Sequence, residues 1–468
     1  MTQLQVLLGA ALERIKELEQ RNAELEAEVE RLRVRLRQNS TNSSRPPSVD
    51  APWVRRYVHR QPSGRRPGGQ PGHEKHERAL VPEEQVSRVV EVVPKQCPKC
   101  QHALSGLPQA LERYQVTEIE PLVAHVTEYR CHTLECPGCG ERTTAQLPAE
   151  AQSAFGERLG ALVCLLMGRY RLSRRQVQSL LEQVLGVSLS LGMVSKLSQE
   201  MSQALEQPVH QAEAFLREQG ALNVDETGWK QGIGQGHAVR AWLWVFAALE
   251  VVVFHIALSR GRQVLETVLG KECTAFLTSD RWGAYDRYDL GLRQLCWSHL
   301  LRDFQGWAER PDTPGRVGRA LVKLGQSLFH LWHQFQRGAF SRKTLERLTR
   351  PVEQQVHRKL LQARRCAPIA RTAKRLLKRE SALWSFEQVP GVEPTNNFPE
   401  RLLRHGVLWR KSSGGTRSDS GSRFVERILS VVMSLQLQHR PVLPWLIQAL
   451  RALRRGQAPP SLLPQHSS

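Results

Sequence analysis

A multidomain α+β chain is what the sequence predicts, and three observations carry it. Apolar residues recur in heptads over residues 4–36, two Cys-x-x-Cys pairs lie between residues 97 and 139, and from residue 221 helical periodicity gives way to strands. At 468 residues the chain exceeds the usual domain size of about 100–200 residues, so two to four domains are expected. The formal net charge of +21 calls for a polyanionic partner, either nucleic acid or an anionic membrane surface. The polar, acidic N-terminus has no basic-then-apolar secretory pattern. The longest apolar stretch, 241–258, contains Glu250 and His255, which are costly in lipid. It reads as two strands joined near Leu249 and Glu250, so no membrane partner is expected. Nine Cys, four of them in Cys-x-x-Cys pairs, argue for metal binding in a reducing cytoplasm over a disulfide framework.

Residues 1–38 read as a leucine-zipper-like coiled coil. Leu8, Ile15, Asn22, Val29 and Leu36 occupy one seam position, and Leu4, Ala11, Leu18, Leu25 and Leu32 the other. Branched residues at the first position with Leu at the second favour two parallel strands, and the single Asn22 sets register, so a homodimer or higher oligomer is expected. Residues 39–90 are Pro-, Gly-, Ser- and Arg-rich and read as an extended basic linker, whose Arg65 and Arg66 either track phosphates or belong to a solvated spacer.

Residues 91–148 read as a zinc-binding module. Cys97, Cys100, Cys136 and Cys139 can offer four thiolates to one structural Zn²⁺, with His102, Cys131 and His132 as spare ligands. The alternating residues between the pairs predict strands, as in a zinc ribbon. Residues 149–218 read as helical, with a break at Gly186 and a second helix from about Ser190, spaced either for a helix-turn-helix reader of DNA or for a plain helical hairpin.

From residue 221 the order is three strands, a helix, a fourth strand ending at Asp280, and a fifth before a helix near Ser298. This is the order of a ribonuclease H-like α/β domain, expected over 219–436, followed by a C-terminal helix and tail over 437–468. In such a sheet the strands carrying Asp225 and ending at Asp280 are neighbours, so the two carboxylates can share a cation. Asp225 in "NVDETGWK" is otherwise a turn-starter. Glu226 points to the opposite face of the strand from Asp225, which makes it a control for it. A third carboxylate is Glu400 in "PTNNFPERLLRHG", where Asn397 caps a helix and Glu400 meets its positive end. A helical ion pair with Arg404 explains Glu400 equally well. The excess between Asp280 and Glu400, about 305–390, reads as a helical insertion. Residues 341–380 carry 13 Lys or Arg against 3 acidic residues, which makes Arg364, Arg365, Lys374 and Arg375 candidate DNA contacts. Arg410 and Lys411 follow in a basic, Gly-rich stretch.

The segments "NVDETGWK", "SRGRQVLETVLG", "SDRWGAYD", "CWSHLLRDF" and "PTNNFPERLLR", in that order, resemble the motifs of the insertion sequence sixty-six family of bacterial DDE transposases. The coiled coil, the "RRPGGQPGH" linker and the Cys pairs resemble that family's layout too, and Phe398-Pro399 depart from it, where small residues are more usual. The resemblance implies Asp225, Asp280 and Glu400 as an acidic triad holding Mg²⁺ or Mn²⁺. It implies DNA cleavage and strand transfer on the element's terminal repeats and target DNA, in the bacterial cytoplasm at the nucleoid, with element-encoded accessory proteins as possible partners. It also singles out Cys296 and His299, either a buried pair steadying the fifth strand or part of the chemistry. Two other functions compete: a zinc-containing DNA-binding regulator with a decayed nuclease domain, and a nuclease that cuts without joining.

Overall fold

The computed structural model describes residues 3–39, 43–45, 78–105, 110–148, 151, 153–233 and 237–464. It is a mixed α+β structure, with fourteen α-helices and seven strands among the described residues. Helix α1, Gln3–Arg37, is continuous, and its seam is uncovered: Ile15 is 50% exposed, and Leu8, Leu18, Leu25, Val29 and Leu32 are exposed with it. The side chains of Leu4 and Ala11 lie outside the described residues. Pairs three apart such as Arg14–Glu17 and Arg31–Glu28 support the helix by only a few tenths of a kcal/mol each.

The strands expected over residues 113–131, between the Cys pairs, do not form. That stretch has no regular secondary structure and no neighbouring strand pairs with it, and Tyr114, Val116, Ile119 and Val126 are exposed. Two three-residue strands, β1 Thr133–Glu135 and β2 Arg142–Thr144, pair around the second Cys pair, and a single antiparallel bridge, Gln96 with Ala103, flanks the first.

Helices α2 Glu157–Gly168, α3 Arg174–Leu185, α4 Leu191–Ala204 and α5 Glu206–Arg217 come next. Ser173 and Gln176 form a capping box at the start of α3, Gly186 ends it at φ 64°, and Ser190 caps α4 through the amide of Met193. These helices have no core of their own. They share one hydrophobic core with the sheet and with the C-terminal helices α13 Asp419–Leu437 and α14 Val442–Arg454. Glycines permit the approach: a Cβ on Gly160 would lie 2.8 Å from Leu450, and one on Gly168 only 2.3 Å from Ile428. The chain from α2 to α14 is therefore packed continuously across the boundaries drawn near residues 218 and 436.

The main sheet has strands β3 Ala221–Ile233, β4 His237–Ala247, β5 Val252–Ala257, β6 Phe276–Ser279 and β7 Arg293–Leu295 in the order β5-β4-β3-β6-β7. The first three are antiparallel neighbours, while β6 runs parallel to β3 and β7 parallel to β6. The apolar run 241–258 is thus β4, a tight turn closed by Ala248 N–H to Val251, and β5. Helix α6, Arg262–Leu269, crosses from β5 to β6.

The free edge of β5 is closed by α13. Glu426, Ser430 and Ser434, four residues apart on one helix face, accept from the amides of Ile256, Phe254 and Val252. A sheet edge that would otherwise recruit another strand is satisfied within the chain.

Between β7 and the last helices stand α7 Trp297–Ala308, α8 Asp312–Gln336, α9 Arg342–Ala363, α10 Ala367–Leu377, and the short α11 Ser385–Gln388. They build a second core around Trp297, Phe304, Leu321, Leu360 and Phe386. A Cβ on Gly318 would meet the Ala308 amide nitrogen at 2.3 Å, so only glycine lets α8 fold back this closely on α7. Helix α12, Asn397–Ser413, then returns to lie on β3 and β4.

Candidate active site

Three acidic side chains stand near one end of the sheet, close enough for Asp280 and Glu400 to act on Asp225. Asp225 lies on β3 and Asp280 directly after β6. The parallel register pairs Asn223 with Thr278, and two further residues along each strand set Asp225 beside Asp280. Glu400 stands in the first turn of α12. Burial, then the charges of Glu226, Asp280 and Glu400 in that order, raise the Asp225 carboxyl well above the usual carboxylate range. A set of mutually repelling carboxylates of this kind is what a hard divalent cation relieves.

Backbone and side-chain hydrogen bonds lace the elements together at this end. The Cys296 amide donates to Ser279 on β6, and the Trp297 amide to Pro394. Asn396, fully buried before α12, donates its amide N–H to Cys296 Sγ (3.1 Å) and its side-chain Nδ2 to the Val224 carbonyl (2.8 Å). That last bond sets the start of α12 one residue from Asp225. The cap expected at Asn397 is not made: the helix begins with Asn397, and the preceding Asn396 spends its side chain on β3. Asp280 Oδ1 accepts from the Trp282 amide (2.8 Å), and buried Arg293 holds the same turn through the Asp280 and Tyr285 carbonyls.

Residues 152–423 match the family described as Transposase IS66 family. The chain belongs to the IS66 transposase family. Residues 3–79 match a family of unknown function, DUF6444. A search of the curated proteins returned no match. As a transposase the protein is an enzyme that acts on DNA, and among the described residues no helix is long and apolar enough to cross a membrane.

Other residues of the transposase differ from their expected settings. Glu226 is no bystander: it is buried, paired with Arg260 at 2.8 Å and hydrogen-bonded by Tyr285 Oη at 2.6 Å. Its substitution would unbalance the core, so it cannot serve as a control for Asp225. Burial raises its carboxyl, with Asp280 adding to the rise and Tyr285 and Arg260 opposing it. Arg260 in turn lies 3.9 Å from the ring centroid of Trp282, a residue 42% exposed. Neither Arg260 nor Tyr285 stood out in the sequence; the signal was their place in the segments flanking Asp280.

Glu400 faces His299 Nδ1 at 3.6 Å and Arg302 at 3.8 Å. Cys296 is buried and its thiol is pushed up to about 11 by that burial; burial, with Arg302 and Arg281 nearby, lowers His299 to about 3 and keeps it neutral. Among the described residues, the metal-ligating types whose donor atoms lie within 4.8 Å of one another are Cys296, His299 and Glu400; the oxygens of Asp225, Asp280 and Glu400 are spread more widely.

Cys97 with Cys100, and Cys136 with Cys139, each close a tight turn in which the first sulfur meets the second cysteine and two backbone amides, lowering the first thiol of each pair. The two pairs are exposed or nearly so, and the four sulfurs are not drawn into one cluster. Arg364 and Arg365 are exposed in the turn after α9, Lys374 and Arg375 on α10, and Lys411 on α12. Arg410 is half-buried and donates to the Gly228 carbonyl and Thr227 on β3. Arg65 and Arg66 lie outside the described residues.

Proposed function

We propose that the protein cuts the ends of its mobile element and joins them to target DNA, using Asp225, Asp280 and Glu400 to hold Mg²⁺ or Mn²⁺ on a ribonuclease H-like sheet. The observation that carries this reading is the parallel register of β3 and β6, which sets Asp225 beside Asp280, with α12 tied by Asn396 to the residue before Asp225. The strand order, antiparallel on one side of β3 and parallel on the other, supports the ribonuclease H-like assignment. The donor set is all carboxylate oxygen, which fits Mg²⁺; the divalent ions supply activation of the attacking oxygen and charge relief for the departing one. The chain's own part is to keep the carboxylates apart yet facing one space, and to carry the phosphodiester there. Arg364, Arg365, Lys374, Arg375 and Lys411 neutralise backbone phosphates. In the same reading α1 pairs with a second copy through its exposed seam, as Leu8, Ile15 and Leu25 indicate, and the two Cys turns close around one structural Zn²⁺ when the module meets the metal.

Labelled element-end DNA and a target plasmid, incubated with purified protein and Mg²⁺, test the reading. Joined products are expected. Cleavage without joined product would favour a nuclease that only cuts, and binding without either would favour a regulator.

A further inference from the structure

Three turns of this chain share one construction. In each, a cysteine opens a Cys-x-x-ligand turn, and the amides two and three residues on lie against its sulfur: Lys99 and Cys100 at Cys97, Gly138 and Cys139 at Cys136, Ser298 and His299 at Cys296. Cys296 receives a further amide, that of Asn396, at 3.1 Å. Amides directed at sulfur favour the thiolate, which is the metal-binding form; at Cys296 they oppose the burial that raises the thiol. The first two turns are the Cys pairs already read as zinc ligands. The third has no role in the chemistry assigned to the carboxylates.

What surrounds the third turn is a ligand set. Cys296 Sγ, a His299 ring nitrogen and a Glu400 carboxylate oxygen lie within 4.8 Å of one another. His299 Nδ1 is buried without a hydrogen-bond partner and stands 3.6 Å from Glu400 Oε1. That is too long for a hydrogen bond. It is close to the separation of about 3.3–3.6 Å between donors around a tetrahedral zinc with bonds of about 2.0–2.3 Å.

We propose that Cys296, His299 and Glu400 bind a zinc ion beside Asp225 and Asp280, sharing Glu400 with them, at a site separate from the Cys-x-x-Cys turns. The thiolate selects zinc over Mg²⁺. Thiolate and carboxylate together cancel the charge of Zn²⁺, which suits a site bordered by Arg302 at 3.8 Å from Glu400. Cys296 gives up its proton on binding. Three protein ligands leave one tetrahedral position for water or a phosphate oxygen. Glu400 has two oxygens, so the zinc on one of them fixes the direction of the other.

The site does not depend on the DNA reaction, and its test does not use it. Full-length protein is stripped with a chelator, reloaded with zinc, desalted, and its zinc counted per chain. Wild type should hold about one equivalent more than Cys296→Ser or His299→Ala, with circular dichroism checking that each is folded. A second measurement leaves the site intact: with Cys97, Cys100, Cys136 and Cys139 all changed to Ser, added Co²⁺ should still give a tetrahedral thiolate–cobalt absorption, which a further Cys296→Ser removes. Equal zinc in wild type and both single variants overturns the site. So does the absence of a Cys296-dependent cobalt spectrum in the folded fourfold variant. A positive metal count beside inactive wild-type protein would refute the transposition chemistry and leave this site standing.

Discussion

Gly406 decides how closely α12 lies on the sheet, and through α12 where Glu400 sits. A Cβ on Gly406 would fall 2.1 Å from Leu243 Cδ2, and Leu243 is fully buried on β4. Gly406→Ala therefore forces either the leucine off its rotamer or the helix off the sheet. Overpacking of this kind costs about 1–3 kcal/mol, against about 1 kcal/mol gained from helix propensity, so a net loss of about 0–2 kcal/mol is expected. Leu243→Ala alone removes a buried side chain and costs about 2–5 kcal/mol. In the double variant the new methyl occupies the vacated space, so the two losses should fall short of additivity by at least about 1 kcal/mol. Denaturant titrations of the four proteins, followed by tryptophan fluorescence, give the cycle. DNA cleavage adds a functional reading, because Gly406→Ala should slow it and the double variant should recover part of the loss. Strict additivity in stability would refute the claim that this contact sets the helix.

Asn396→Ala leaves the Val224 carbonyl unpaired at a cost of about 1–3 kcal/mol; it should depress cleavage while all three carboxylates remain, and unchanged cleavage in folded protein would show that the lacing is dispensable. Ser430→Ala strips the Phe254 amide of its partner, with a loss of similar size and faster hydrogen exchange at that amide. Burial raises Glu426 to about 7 against the opposing charge of Arg423, with the half-buried, neutral His255 3.6 Å away. A raised carboxyl stabilises the fold below its ordinary value of 4.5 and loses that contribution as pH rises through about 7, so wild type should weaken relative to Glu426→Gln across that window in pH-dependent melts. Deleting residues 1–38 should shift the mass seen by light scattering from dimer towards monomer, and an unchanged mass would remove α1 as the main contact.

The strand order of the sheet was legible because each strand is an apolar run bounded by turn residues, and Asp280 at the end of its strand could be placed by topology alone. The helix break at Gly186 and the cap at Ser190 were legible for local reasons, a residue free to take positive φ and a hydroxyl before a helix. What failed was whatever depends on a partner in space. Residues 113–131 alternate like a strand, yet alternation describes a face and says nothing of a neighbour to pair with. Asn396 and Asn397 are equally good caps on paper, and only the Val224 carbonyl separates them. Strand alternation makes Glu226 a control on the face opposite Asp225, and gives no sign of Arg260 and Tyr285, which arrive from distant segments. The shared core of α2–α5 with α13 and α14 was hidden likewise, because periodicity gives the buried face of a helix but not what covers it.

The most direct test of the account is the rate of element-end cleavage in Mg²⁺ by wild type, Asp225→Asn, Asp280→Asn and Glu400→Gln, with exposed Glu272→Gln as control and end-DNA binding measured in parallel. The account predicts that each of the three triad variants binds the end DNA as wild type does and cuts it orders of magnitude more slowly, while Glu272→Gln cuts normally. Cleavage at the wild-type rate by any folded member of the three would contradict it.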